Sequence, residues 1–335
     1  MGLSPVGPIS EAIVGLLSSP PQGTFGPADL EVGLRPLVDA VADPLADDDL
    51  QLALYLCYEL HYRSFPEVSA AWEWNPSLLA VRALLETAFF GTLDVEVATE
   101  PVGPGEVGDA LFRIEAADEG VSLSRHLEIK PDLGQFREFV VHRSLYQLKE
   151  ADPHSWAIPR IAGPAKTALL EVQGDEYGGG RPERMHSGLF AKTMRALDLD
   201  DRENAYLGRV PGVTLATVNL MSGLGLHRSR RGAIVGHLAM FEMTSAQPNR
   251  RYGNALRRLG FGEEATDFYD EHVEADAVHE NIAAYDLAGG LALQEPELAA
   301  DIVFGARALL CLEDRFARHL LSSWEEGESS LRRPL

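Results

Sequence analysis

From residue 133 to the C-terminus the chain reads as one helix after another, and this pattern limits the possible fold more than any other feature. Apolar residues recur at three- and four-residue steps, while Pro153, Pro159, Pro164 and Pro182 punctuate the first segments. The spacing predicts helices over 134–151, 165–175, 183–197, 213–227, 230–245, 253–259, 263–288 and 295–323. "EYGGGRPE" (176–183) is a break between two of them. Upstream, 11–17, "ADDDLQLALYLCYELHYRSF" (46–65) and "NPSLLAVRALLETAFFGTL" (75–93) also read as helices, the last with an Asn-Pro start. Between 94 and about 131 the pattern loosens. There "VGPGEVGD" reads as a loop, and "FRIEA" and "VSLSRHLEI" as short strands or irregular chain. The expected architecture is all-α: a helical bundle over 131–335, preceded by an N-terminal helical extension over 1–130 with a loop or short-strand connector.

Composition narrows the chemistry. A net charge of −22 argues against nucleic acid or an anionic membrane surface as a partner. No apolar run is long enough to span a bilayer, and the N-terminus lacks a basic segment followed by a cleavage site. Cys57 and Cys311 are the two cysteines, so a four-cysteine zinc site or an iron–sulfur cluster is excluded. Two distant thiols fit a reducing cytoplasm. Any bound metal must be held by His, Asp and Glu.

One segment has that chemistry. "FYDEHVEADAVHENIAAYD" (268–286) carries eight acids and histidines in nineteen positions without Pro or Gly. At about 100° per residue, His272, Asp276 and His279 fall within about 60° of arc. Glu271, Glu274 and Glu280 point elsewhere and are assigned to solvent. Two imidazoles and a carboxylate on one stripe suit a metal, although a polar surface stripe has the same pattern.

Other helices supply possible partners. Glu150 ends the first bundle helix, where a negative charge opposes the helix dipole and calls for a positive partner, either Lys149 or a metal. His186 lies among Met185, Leu189 and Phe190. Two acids compete to accompany it: Glu183, three residues before it, and Glu176, ten residues before it, ahead of the glycine break. Glu242 interrupts the apolar run "AIVGHLAMFEMTS" (233–245), and an acid in such a setting is rarely buried alone.

Together, "LKEADPHSWAIPRIAGPAKTALLEVQGDEYGGG", "MHSGLF", "MFEMTS" and "EHVEADAVHE" resemble the haem-oxygenase-like di-iron oxidases, over about residues 133 to 290. The resemblance implies a haem-oxygenase-type bundle that binds two irons in place of haem. Carried over, its ligand set is Glu150, Glu176, His186, Glu242, His272, Asp276 and His279. One iron would take Glu150, His186 and His279, and the other Glu176, His272 and Asp276. Glu242 would join or bridge when oxygen binds, and is the expected catalytic carboxylate. The spacing is most similar to the N-oxygenating branch; in the fatty-acid-decarboxylating branch Glu183 would replace Glu176. The implied activity is O2-dependent oxidation of a small molecule in biosynthesis, N-oxygenation of an amine or guanidine first. The cofactors would be two Fe(II)/Fe(III) ions, with O2 as co-substrate and an external electron donor.

Two alternatives stand beside it. One is oxidative C–C or C–H cleavage of an amino or fatty acid. The other is a non-catalytic helical bundle that binds metal, or one that binds haem, in which seven clustered ligand candidates would go unused. A cytoplasmic protein is expected, with a homodimer as the candidate assembly, acting without a membrane or nucleic acid. Glu59 and His61, two apart, cannot share a helical face. "HRSRRG" reads as solvated or salt-bridged, with a substrate carboxylate on Arg228, Arg230 or Arg231 as the functional alternative. Trp72 and Trp74 read as packing residues.

Overall fold

A computed structural model of the chain describes residues 4–21, 30–98 and 100–335, leaving aside the side chains of 274–278. The described residues form fifteen α-helices joined by short 3-10 turns, with no strand among them. Six helices precede the bundle: α1 (Pro8–Leu17), α2 (Leu30–Asp39), α3 (Asp48–Glu59), α4 (Pro76–Glu96), α5 (Val107–Ala116) and α6 (Leu123–Ile129). The bundle holds α7 (Leu133–Gln147), α8 (Asp152–Ser155), α9 (Gly163–Glu176), α10 (His186–Ala196), α11 (Gly212–Leu226), α12 (Arg231–Arg258), α13 (Glu263–Asn281), α14 (Gly290–Gln294) and α15 (Ala299–Glu325).

Local chemistry sets several starts. Asp47 caps α3, accepting from the Asp49 and Leu50 amides, and Asn75 does the same for α4 ahead of Pro76. Asp132 caps α7 through the Gln135 amide at 2.9 Å. The expected short strands are corrected: "FRIEA" belongs to α5 and "VSLSRHLEI" to α6, where Ser122 caps the first turn. Buried Leu111, Leu123 and Leu127 give these segments an inward helical face that outweighs their mixed composition.

Two further boundaries differ from the spacing. The helices expected at 230–245 and 253–259 are one, α12, running through Pro248. Proline there has no amide for the Thr244 carbonyl, which breaks the hydrogen-bond ladder without ending the helix. The helix expected over 263–288 changes register at Ile282, continuing to Gly289 with π-helical bonding.

α12 and α13 lie side by side, and α12 also crosses α15. That second crossing is tight: a Cβ at Gly236 would overlap the Ile302 carbonyl, and one at Gly305 the Ala233 carbonyl. α3 packs on α11, and one apolar core includes Ile13 and Leu54 of the extension as well as Leu238 and Leu312 of the bundle. No helix among the described residues is long and apolar enough to cross a membrane. Cys57 is buried, which pushes its thiol up to about 12, and both cysteines are free.

Candidate metal centre

Five bundle segments, the turn after α7 together with α9, α10, α12 and α13, bring their acids and histidines to one place. α7 stops at Gln147, and the chain turns through Ala151, which adopts a left-handed φ of 74°. Gln173 Nε2 and the Ser155 amide hold the Ala151 carbonyl at 2.9 and 3.0 Å. This turn points Glu150 inward, where it is 4 % exposed.

The glycine break works the same way for the next pair. Gly178, Gly179 and Gly180 have φ of 74°, 59° and 78°, conformations that cost a residue with a Cβ about 1 kcal/mol or more each. The reversal leads from the end of α9 to the start of α10, so that Glu176 Oε2 lies 2.9 Å from His186 Nδ1. Glu183, the competing acid, sits in an exposed 3-10 turn outside the cluster.

The buried groups form two sets. Glu150, Glu176, His186 and His272 each offer a ligand atom within 4.8 Å of the others, and so do Glu176, Glu242 and His279. Glu176 belongs to both. The expected pairing of His186 with His279 is not what the geometry brings together. His186 stands against His272, ring centroids 4.3 Å apart. His279, two turns and about 10 Å further along α13, faces the second set. Asp276 lies outside the described side chains. Lys149, the alternative partner for Glu150, instead forms a buried ion pair with Glu59 of α3. Glu271, assigned to solvent, pairs with Arg184.

Hydrogen bonds determine which nitrogen each ring presents. His272 Nδ1 donates to the Phe268 carbonyl at 2.7 Å, which places the proton there and turns Nε2 toward Glu150 Oε1, 3.6 Å away. His279 contacts a carboxylate on each side: Glu242 Oε2 at 3.2 Å from Nδ1 and Asp175 Oδ2 at 3.0 Å from Nε2. Burial opposes its charge, but Glu242, Asp175 and Glu176 outweigh burial and hold it at about 9. Burial raises Glu150 and Glu242 above the usual carboxylate range. Tyr146 is raised by burial and then by the Glu150 and Glu176 charges.

The donor set fits iron. Neither oxygen of buried Glu150 has a hydrogen-bond partner, a costly state for a carboxylate that faces no cation. Imidazole and carboxylate without thiolate suit iron(II), and the spacing approaches what ions with bonds of about 2 Å would bridge.

Residues 137–314 match the family described as iron-containing redox enzymes, somewhat more than half of the chain. The chain belongs to this family. Among characterised proteins, this iron-containing redox enzyme is similar to the nitrosourea synthase of Streptomyces achromogenes subsp. streptozoticus, 29% identical over 210 residues. That match covers 61% of this chain and 44% of the synthase, so the chain spans less than half of that relative. The family match takes in Glu150, Glu176, His186, Glu242, His272 and His279.

Sequence reasoning missed Asp175, for which adjacency to Glu176 is no signal. It also missed a buried pair, His154 and His237, joined Nε2 to Nδ1 at 3.0 Å. His237 lies in the same apolar run that singled out Glu242, so the same argument could have found it. Arg230 stacks on Phe90 at 4.1 Å, and Arg231 pairs with Glu295, so the basic island is tied into the fold. Trp72 is buried and donates to the Ser19 carbonyl at 2.8 Å, while Trp74 is largely exposed.

Proposed function

We propose that this chain is a non-haem di-iron oxygenase that oxidises a nitrogen-bearing small molecule with O2. The observation that carries the reading is the pair of buried clusters sharing Glu176. One ion would be held by Glu150, Glu176, His186 and His272, the other by Glu176, Glu242 and His279, with Asp276 added to the set. Bound iron would supply the electrons that activate O2, replenished by an external donor.

The chain's own residues do the rest. The Phe268 carbonyl fixes the His272 tautomer, so that ring offers Nε2. Asp175 holds His279 Nε2, so that ring offers Nδ1 on the Glu242 side. Glu242, buried and raised above the usual carboxylate range, is the carboxylate we assign to change partners during turnover. Phe190 and Phe268, ring centroids 5.0 Å apart, pack beside His272 and give that side an apolar wall. Similarity to a protein named for making a nitrosourea supports nitrogen as the oxidised atom.

Anaerobic reconstitution of the full chain with Fe(II) tests the reading. The expected result is about two irons per chain and O2 uptake that depends on an amine or guanidine substrate. Iron-free protein that binds haem would overturn it. Turnover of a fatty acid would move the assignment to C–C or C–H cleavage.

A further inference from the structure

A cavity of about 440 Å³ opens against the Glu150 and His272 end of the centre. Its walls come from α5, α6, α7, α10, α12, α13 and α15, and the α12 wall includes the interrupted stretch around Pro248. Phe139, Phe190, Phe241, Met243 and Phe268 give it an apolar lining, and the volume suits a small molecule.

Two lining atoms stand out. Gln147 Oε1 and the Tyr269 hydroxyl are buried in the wall without a hydrogen-bond partner. Buried polar atoms are normally satisfied, so a site that leaves two open beside reactive groups is shaped for something that satisfies them. Both belong to the centre by position. Gln147 is three residues before Glu150, and the Glu150 amide donates back to its carbonyl. Tyr269 is three residues before His272 on α13, one helical turn away, and the turn that follows α7 brings Gln147 beside Glu150. The Tyr269 ring is held by Phe136, Phe268 and Tyr252, with centroids 6.2, 5.2 and 5.7 Å away.

The charges select among ligands. Glu115, Asp118, Glu150, Glu313 and Asp314 line the cavity, against Arg143 and Arg251. Both arginines are already engaged. Arg143 forms a two-bond pair with Glu313 at 2.8 and 2.6 Å and lies over Phe316. Arg251 bonds Ser122 at 3.2 Å and faces Glu128 at 3.8 Å. With Glu150 left to the metal centre, four acids still stand against two arginines that are already paired, so a carboxylate substrate would meet a net negative wall. A group with N–H donors meets an open carbonyl oxygen, a hydroxyl and surplus acids.

We propose that this cavity is the substrate chamber, and that Gln147 and Tyr269 orient the N–H edge of a small, cationic nitrogen compound toward Glu150 and His272. The assignment of the oxidised atom rests on the di-iron reading; the binding site itself does not. Gln147 and Tyr269 are positioning residues for the substrate.

Calorimetric binding to the full chain, with iron loaded under anaerobic conditions and again with iron withheld, tests this. The probes are butylguanidinium, its neutral isostere butylurea, and pentanoate. Both nitrogen probes are expected to bind with or without iron, the cation more tightly, and pentanoate is expected not to bind. Gln147→Leu and Tyr269→Phe should each weaken butylguanidinium about tenfold, the loss of one hydrogen bond, with iron content and thermal midpoint kept. Tyr269→Phe retains the ring packing, so a binding loss there is not a folding loss. Pentanoate binding more tightly than butylguanidinium, no binding of either nitrogen probe, or wild-type affinity in both variants would overturn the proposal. A wild-type chain that takes up no iron but still loses the probe in both variants would end the di-iron reading and leave the chamber standing.

Discussion

Asp175 Oδ2 lies 3.0 Å from His279 Nε2, so an exposed carboxylate at the end of α9 secures a buried imidazole of α13. Outer carboxylates of this kind fix a ligand's tautomer and raise its basicity. Asp175→Asn keeps the shape but weakens the hold, and Asp175→Ala removes it. Iron affinity at one of the two positions is expected to fall about 10- to 100-fold in the Ala variant, with a smaller fall in Asn. Metal titration resolves this as loss of the second equivalent before the first. Two equivalents bound with wild-type affinity in Asp175→Ala would show that Asp175 only caps the surface.

Gly236 and Gly305 each leave room for a carbonyl of the other's helix, Ile302 on α15 and Ala233 on α12. A methyl group at either position must push the helices apart. Gly236→Ala is expected to cost about 3 kcal/mol or more, at the upper end of overpacking penalties, despite alanine's better helix propensity. Chemical denaturation measures it. Because α12 carries Glu242, iron content should fall with it. Gain of stability in Gly236→Ala would mean that the crossing is looser than described.

Lys149 and Glu59 are paired and buried, 5 % and 1 % exposed. The Lys149 ammonium also lies 4.7 and 4.8 Å from the Tyr55 and Tyr62 ring centroids. Lys149→Met strands the Glu59 charge and is expected to destabilise by about 3–5 kcal/mol. Adding Glu59→Leu should recover most of that loss, since an apolar pair of similar volume removes both desolvation costs. Equal stability of the single and double variants would contradict the pairing.

His154 is buried, and burial lowers it to about 3; His237, buried beside it, is lowered as well. Once unfolded, such a ring takes up a proton below its ordinary value of 6.5, whereas in the folded chain it stays neutral until about 3. The unfolded state therefore binds more protons in this window, and stability falls as pH drops from about 6.5 toward 3. His154 alone contributes a slope of at most about 1.4 kcal/mol per pH unit. His154→Gln should flatten the acid side of a stability–pH curve by about that slope. An unchanged curve would show that the ring is already charged or hydrated in the folded protein.

The sequence by itself determined a good deal. Helical periodicity and proline placement located the bundle helices to within a few residues, because both act over one or two turns of chain. Where two forces competed locally, it misled. Composition suggested short strands or irregular chain at 112–116 and 121–129, yet burial of Leu111, Leu123 and Leu127 made helices. Spacing suggested two helices, 230–245 and 253–259, yet α12 runs through Pro248 as one. Candidate ligands were legible in part: His186 and Glu242 interrupt apolar runs, His272 and His279 share a stripe, and the family resemblance supplied Glu150 and Glu176; all six lie buried.

Tertiary structure alone decided who faces whom. The glycine turn at 178–180 places Glu176 against His186, while Glu183, nearer in sequence, stays in solvent. Lys149 turned away from Glu150 to Glu59, ninety positions earlier in the chain. His186 met His272 instead of His279, and Asp175 entered the centre from an exposed position. These are through-space relationships between separate helices. Periodicity fixes only the face on which a side chain stands; the crossing of the helices decides what stands opposite.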